Sequence, residues 1–203
     1  MSNTRENLLE AARKLFGQMG IKNTTMNDIA LVSQKGRRTV YTYFKNKDEV
    51  LDAVIAEEMQ YVVASLDEVM QRDLNALDKF VAYVITRMNA VRLAVERNGS
   101  LRSEFFRDVV RVELVRRKLE KIEIACLERI FEDGVKNGIF DISDVKQVAV
   151  FAHFVMRGLD VPYIRGTFDE KGIDKDSALK RKTYIILKGL VKTDRNLISS
   201  DPS

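Results

Sequence analysis

The sequence is poor in the residues that most enzymes use for chemistry. Its 203 residues include one cysteine, Cys126, and one histidine, His153. A single cysteine excludes an internal disulfide and a clustered thiolate metal site, and a single histidine removes most histidine-based catalysis. Four glutamates are spaced like the solvated face of a long helix and not like a catalytic pair: Glu120, Glu123, Glu128 and Glu132. We therefore expect no catalytic residue, no metal ligand and no cofactor.

Proline is also scarce, with only Pro162 and Pro202, and no alternation of apolar and polar residues persists for long. These features favour an all-helical chain. No apolar run approaches the roughly 18 to 20 residues that cross a bilayer, and Met1 to Gly20 carries charges throughout. With 45% hydrophobic and 32% charged residues, the chain is expected to fold as a soluble cytoplasmic protein with one large or two small domains.

The positive charge is concentrated at the start of the chain. Residues 1 to 50 hold nine basic and five acidic side chains, whereas the remainder holds 25 of each sign. Between Ser33 and Lys47 five basic residues occur with no acidic one. Such a cluster is either a solvated basic face or a surface that binds phosphate with strong salt dependence.

Apolar spacing predicts a long helix, two short helices and a second long helix over the first quarter of the chain. Asn3 to Met19 forms the first, and Thr25 caps the second. The third covers Arg37 to Phe44, with Val40 and Phe44 in the core, and Asn46 caps the fourth. Two short helices joined by a Gly-containing turn and packed on a longer helix are the arrangement of a helix-turn-helix.

Further helices follow, giving about nine in total. We expect the fourth to reach Met70, a helix over Asp73 to Asn98, and a long helix ending at Lys136 before Asn137-Gly138. Ser143 is placed as the cap of the next helix, which ends near Leu159. Asp160 to Asp176 is interpreted as a loop because it contains Pro162, Gly166 and Gly172, and a last helix covers about 177 to 192.

Two stretches of the first quarter form a recognisable motif: Thr24-Thr25-Met26-Asn27-Asp28-Ile29-Ala30 and Gly36-Arg37-Arg38-Thr39-Val40-Tyr41-Thr42-Tyr43-Phe44-Lys45-Asn46-Lys47-Asp48-Glu49-Val50. This motif resembles the DNA-binding domain of the tetracycline-repressor (TetR) family. The resemblance covers about residues 4 to 55; beyond them only the helix pattern and the stretch from Gly134 to Phe140 are similar. It implies a DNA-binding domain over residues 1–47 and an effector-binding and dimerisation domain over 48–203.

The turn before the recognition helix departs from the family pattern. That turn usually reads Ala-Gly-Val-Ser, whereas this chain has Ser33-Gln34-Lys35-Gly36. Lys35 replaces an apolar residue and Gly36 replaces a capping serine, so we expect the packing of the turn and its phosphate contact to differ. Glycine remains an acceptable cap and costs only a few tenths of a kcal/mol relative to serine.

The predicted contacts to double-stranded DNA lie on the two short helices and the residues that flank them. Arg37 and Arg38 begin the recognition helix, where an arginine fork matches guanine O6 and N7 in the major groove. Thr42 is the next candidate for a base or thymine-methyl contact. The resemblance implies phosphate contacts from Thr39, Tyr41, Tyr43 and Lys47, a base contact from Asn27, and a phosphate contact from the capping Thr25. Lys35 in the turn completes this set.

One short helix reads only a few base pairs, so a two-fold dimer on a palindromic site is expected. The resemblance implies dimerisation through helices at about 143 to 160 and 177 to 192. The candidate interface residues are apolar: Val148, Val155, Ile186 and Leu190.

The family commonly encloses an effector pocket among its middle helices. Candidate lining residues are aromatic, aliphatic or sulfur-containing: Phe80, Tyr83, Val84, Met88, Phe105, Phe106, Cys126, Phe151 and Phe154. Each of them could equally be ordinary core, because an aromatic and methionine stripe at helical spacing is more often packing than a binding site. Cys126 is interpreted as inert and His153 as a packed or hydrogen-bonded side chain.

The sequence therefore predicts a homodimeric DNA-binding repressor, nucleoid-associated when bound, that a small apolar or amphipathic effector releases from its operator. A second hypothesis keeps the DNA binding and replaces the effector by a partner protein or by no ligand. A third, a helical interaction protein or all-α enzyme, leaves the basic cluster at 35 to 47 unexplained.

Overall fold

A computed structural model describes residues 4–97 and 109–172, except for the side chains of 109–116 and of Asp169. The described residues are helical and carry no strand. The helices are α1 (Thr4–Met19), α2 (Met26–Val32), α3 (Arg37–Tyr43), α4 (Lys47–Gln71), α5 (Ala76–Arg97), α6 (Val109–Lys136), α7 (Val145–Ile164) and the single turn α8 (Thr167–Glu170). The all-α class is as predicted. The expected count of about nine is not matched over these residues, and the helix expected at 177 to 192 lies outside them.

The first three helices pack on the start of α4. α1 buries one face through Leu8, Ala12 and Phe16, and Gly20 ends it with a φ of +81°. The core of this part also takes Ile29 and Val40, both fully buried, from α2 and α3. Phe44, which follows α3, is 4% exposed, so the prediction that Val40 and Phe44 are core residues is confirmed.

Asparagine caps begin both long central helices. The Asn46 side chain accepts a hydrogen bond from the Glu49 amide (2.9 Å), which confirms the predicted cap of α4. The start of α5 differs from the prediction: Asn75 accepts from the Asp78 amide (2.9 Å), and the helix begins at Ala76 instead of Asp73. Leu74 therefore lies before the helix and is exposed, because the cap satisfies amides that would otherwise need another turn.

The helix α7 corrects two predictions. Its cap is Asp144 and not Ser143, since the Asp144 carboxylate accepts from the Gln147 amide (3.0 Å). The helix also continues through Pro162 to Ile164, where a loop was expected. Tyr163 explains this continuation, because its side chain is buried and its hydroxyl donates to Asn89 (2.5 Å). The burial of Tyr163 and its hydrogen bond to Asn89 offset the loss of the one backbone hydrogen bond that Pro162 cannot donate in the last turn.

The chain divides into two compact units. The first consists of Met1–Ala64 and Ala90–Leu119, and the second of Ser65–Asn89 and Glu120–Ser203. The first unit contains α1, α2, α3 and the part of α4 that ends at Ala64. Across the part of the chain that the structure describes, every helix is too short or too polar to cross a lipid bilayer.

Candidate nucleic-acid interface

The N-terminus of α2 is held by a reciprocal capping box. The Thr25 hydroxyl accepts from the Asp28 amide (3.2 Å), and the Asp28 carboxylate accepts from the Thr25 amide (2.8 Å) and hydroxyl (2.7 Å). The hydrogen bonds from the Thr25 side chain and backbone lower the pKa of Asp28. Thr25 and Asn27 are both exposed at this helix end.

The turn between α2 and α3 closes as a Schellman motif. The Lys35 amide donates to the Ala30 carbonyl (3.0 Å) and the Gln34 amide to the Leu31 carbonyl (3.1 Å). Gln34 has a φ of +54°, in the left-handed region that favours glycine. It stands at the glycine of the Ala-Gly-Val-Ser pattern. Gln34 is thus a third departure from that pattern, and its backbone dihedral gives the departure an energetic cost.

The helix α3 presents its arginines and tyrosines outward. Gly36 precedes it in an extended conformation without a side-chain cap, and the exposed Arg37 and Arg38 follow. The guanidinium of Arg37 lies 5.6 Å from the centroid of the Tyr41 ring. Tyr41 and Tyr43 are each 43% exposed, so their rings are partly packed while part of each side chain reaches water.

The remaining residues of the predicted set are placed on the same short segment. The Thr42 hydroxyl donates to the Arg38 carbonyl (3.0 Å), and the side chain is exposed. Thr39 and Lys35 are half-buried. Seven of the ten predicted residues are thus exposed: Thr25, Asn27, Arg37, Arg38, Tyr41, Thr42 and Tyr43.

Lys47 is positioned differently from the others. It is half-buried at the first turn of α4, and its ammonium donates to the carbonyl oxygens of Ile21 (2.6 Å) and Lys22 (3.2 Å). These carbonyls belong to the connection between α1 and α2. The Lys47 ammonium therefore joins this connection to the beginning of α4.

Ion pairs attach α1 to the middle of α4. Arg13 contacts Glu57 (2.9 Å) and Glu58 (3.1 Å), and these carboxylates also contact Arg5 and Arg97 respectively, each at 3.5 Å. Burial acts to lower the pKa of Arg13, but the neighbouring carboxylates outweigh it and raise that pKa. The helix that carries the core of the DNA-binding segment is therefore fixed to α4 by charge as well as by apolar packing.

The second unit contains a buried charge network that the sequence did not predict. Arg87 donates to Glu123 (2.7 Å) and to Asp160 (2.5 Å), and the side chains of Arg87 and Glu123 are 3% and 1% exposed. Burial acts to lower the pKa of Arg87, while the charges of Glu123 and Asp160 raise it. The expectation that Glu123 belongs to a solvated face is wrong, because Arg87, a residue of another helix, covers it.

His153 lies beside this network. It is buried, with Nδ1 2.9 Å from Glu123 Oε2 and Nε2 3.7 Å from Glu120 Oε2. Neither nitrogen has the alignment of a hydrogen bond to a described partner. The packed-histidine interpretation is therefore consistent with its placement against carboxylates.

The pocket candidates fall into three groups. Five are buried within the second unit: Phe80, Tyr83, Val84, Met88 and Cys126. Phe80 stacks on Phe131 with ring centroids 5.2 Å apart, as core aromatics do. Phe151 and Phe154 lie instead on the outer side of α7, 71% and 50% exposed. Phe105 and Phe106 are outside the described residues.

Burial supports the expectation that Cys126 is unreactive. Its side chain is 8% exposed, and desolvation, followed by the charge of Asp67, raises the pKa of its thiol. A raised pKa leaves little thiolate at neutral pH.

The interface candidates that the structure describes are on α7. Val155 is 47% exposed, and Val148 is half-buried. With Phe151, Phe154 and Val150 they form an apolar surface, named here the α7 outer face, opposite the buried Ala149, His153 and Met156. Ile186 and Leu190 lie outside the described residues.

A helix-turn-helix with exposed basic and aromatic side chains on its second short helix defines a DNA-binding protein. Residues 8–54 match the family model described as bacterial regulatory proteins, tetR family. The chain belongs to the tetR family of transcriptional regulators, and a relative of comparable length supports this assignment across nearly the whole sequence.

That relative is the uncharacterized HTH-type transcriptional regulator YhgD of Bacillus subtilis (strain 168), 32% identical over 202 residues, covering 94% of this chain and 98% of YhgD. The HTH-type transcriptional regulator QacR of Staphylococcus aureus (strain Mu50 / ATCC 700699) is 25% identical, with coverage of 94% and 100%. A solved SmeT–triclosan complex has the same fold, with a TM-score of 0.69 at 19% identity and coverage of 98% and 97%.

Proposed function

We propose that this regulator is a homodimeric repressor that binds a palindromic operator through α2 and α3 and is released by a small apolar or amphipathic effector. The main support for this DNA-binding surface is that Arg37, Arg38 and Tyr43 are exposed on α3. In addition, no acidic residue occurs between Ser33 and Lys47. Arg37 and Arg38 read base edges, while Thr25, Thr39, Tyr41 and Tyr43 contact phosphates. Asn27, Lys35 and Thr42 complete the surface.

The α7 outer face supports the dimer. Val150, Phe151, Phe154 and Val155 are between 38% and 71% exposed, and the first two lie about one helical turn before the last two. An exposed run of large apolar side chains is typical of a protein interface, because water would otherwise cover it at a cost of about 25 cal/mol per Å². We therefore assign Phe151 and Phe154 to the dimer interface together with Val148 and Val155, and not to the pocket.

Two features support an effector site within residues 48–203. The buried part of α5 and α6 carries Tyr83, Met88 and Cys126, and the Arg87–Glu123 pair adds polar groups beside them. An apolar interior with a few convergent polar groups is the usual composition of a small-molecule site. SmeT, which shares this fold, is solved with triclosan bound.

The experiment that tests this function begins with selection of genomic fragments by the purified full-length protein at physiological salt. Enrichment of a short palindrome, bound by two protomers in analytical ultracentrifugation, is the expected result. Triclosan, added as the first probe, is then expected to release the fragment in fluorescence anisotropy. Failure to enrich any sequence would contradict the operator, and binding by one protomer would contradict the dimer. If no compound of an apolar panel releases the protein from the DNA, control by a partner protein is favoured over control by a small effector.

A further inference from the structure

The ammonium of Lys47 is occupied inside the DNA-binding unit. It donates to Ile21 O at 2.6 Å and Lys22 O at 3.2 Å, and the side chain is half-buried. A charged donor already bound to two carbonyl oxygens has less freedom to move toward a phosphate than an exposed lysine has. The basic residues on α3, Arg37 and Arg38, are exposed by comparison.

The two segments that Lys47 joins are both close in sequence to predicted DNA contacts. The connection after α1 leads through the buried Thr24, whose hydroxyl donates to Gly20 O (2.9 Å), into the Thr25 cap of α2. Lys47 itself begins α4, directly after the connection that follows α3. A shift of either segment moves the N-terminus of α2 relative to α3.

We infer that Lys47 is a positioning residue that fixes the N-terminus of α2 relative to the start of α4, and that it does not itself neutralise a phosphate. This inference rests on the proposed DNA binding. It assigns the lysine a role different from the phosphate contact expected from the sequence, and it predicts a separable effect on the salt dependence. Each protein charge that neutralises a phosphate contributes about −0.9 to the slope of log K against log salt, whereas a positioning residue contributes nothing to that slope.

The test compares Lys47→Met with Lys22→Met in the full-length protein. Both variants remove one positive charge from the same region, but Lys22 is exposed and contributes only its backbone carbonyl to the Lys47 contact. For each variant, anisotropy titrations give the affinity for a selected operator and for random DNA over a range of salt. Urea unfolding and circular dichroism set a temperature at which the variant is fully folded.

For Lys47→Met we expect the affinity for the operator to fall about tenfold or more, the ratio of operator to random affinity to fall, and the salt slope to remain that of the wild type. The ratio falls because a smaller fraction of the protein has the competent geometry. Lys22→Met is expected to keep the wild-type ratio.

Two results would overturn the inference. A salt slope reduced by about 0.9 per protomer, with an unchanged unfolding midpoint, would establish a phosphate contact. A lowered unfolding midpoint with unchanged affinities and ratio would establish a merely structural role. Lys47→Arg adds a check, because it retains charge and donors and is expected to recover part of the lost ratio. If the wild-type protein binds no DNA, the proposed function itself fails, and that result is distinct from both.

Discussion

The ring of Phe140 occupies the space that a side chain at Gly134 would need. Phe140 is 3% exposed, its amide donates to the Gly134 carbonyl (3.1 Å), and its ring packs edge-on against Phe131 at 5.8 Å. A Cβ added at Gly134 would overlap the ring of Phe140. The Gly134–Phe140 stretch therefore closes the C-terminal end of α6 by packing an aromatic ring directly on the helix backbone.

Gly134→Ala is expected to destabilise the protein by about 1 to 3 kcal/mol, because overpacking outweighs the better helix propensity of alanine. Urea unfolding at fixed protein concentration measures this loss. The same substitution in a Phe140→Leu background is expected to cost less, since the smaller side chain gives way. Equal costs in both backgrounds would show that the ring is not the obstacle.

Gln34→Gly is expected to stabilise the protein by up to about 1.5 kcal/mol. The left-handed conformation costs a non-glycine residue about 1 to 2 kcal/mol, and glycine removes this cost. Glycine also stabilises the unfolded chain by about 0.5 to 1 kcal/mol, because it has more backbone freedom there, and this offsets part of the gain. Thermal and urea unfolding measure the gain. Gln34→Ala keeps the strained backbone and serves as the control, so an equal gain for both variants would contradict the assignment of strain.

Glu123→Gln is expected to cost about 1.5 to 3 kcal/mol, because it removes a buried charged acceptor from Arg87. Glu96→Gln is the matched control. Glu96 pairs with Arg92 at 3.1 Å on the surface, and its side chain is 48% exposed. Removing the Glu96 charge is therefore expected to lower the free energy of unfolding by about 0.5 kcal/mol or less. The difference in urea unfolding between the two variants tests the burial of the network, and similar costs would contradict it.

Arg37→Ala and Arg38→Ala are each expected to relax base preference at one position of the half-site, by about 1 to 3 kcal/mol. Competition with singly substituted operators measures this preference. Arg72→Ala removes an exposed charge from the second unit and is expected to leave the preference intact. Uniform losses on specific and random DNA for Arg37→Ala and Arg38→Ala would assign both arginines to phosphate.

Local signals in the sequence predicted the parts of the fold that depend on local chemistry. The Thr25 and Asn46 caps and the core positions of Val40 and Phe44 follow from spacing and capping within a few residues. α5 begins three residues later than the apolar spacing predicts, because that spacing extends to Leu74 whereas the Asn75 cap fixes the start at Ala76.

Contacts between residues far apart in sequence could not be predicted in this way. Arg87 meets Asp160 across 73 positions, and Glu123 is buried against Arg87 and His153. Lys47 reaches the Ile21 carbonyl across 26 positions. The continuation of α7 through Pro162 likewise depends on the distant partner of Tyr163, Asn89. None of these pairs has a periodic signal, because each depends on how helices pack.

The most direct test of the central claim is the salt dependence of binding to a selected operator. Lys35, Arg37 and Arg38 bring two or three positive charges per protomer into the counterion layer of the DNA, whether they face bases or phosphates. Two protomers therefore displace the counterions of about four to six phosphates, which predicts a slope of log K against log salt of about −4 to −5. Anisotropy titrations of the wild-type protein between low and physiological salt give this slope. A value in that range, with two protomers per operator, is the predicted result. A slope shallower than about −1, or equal affinity for operator and random DNA, would contradict the account.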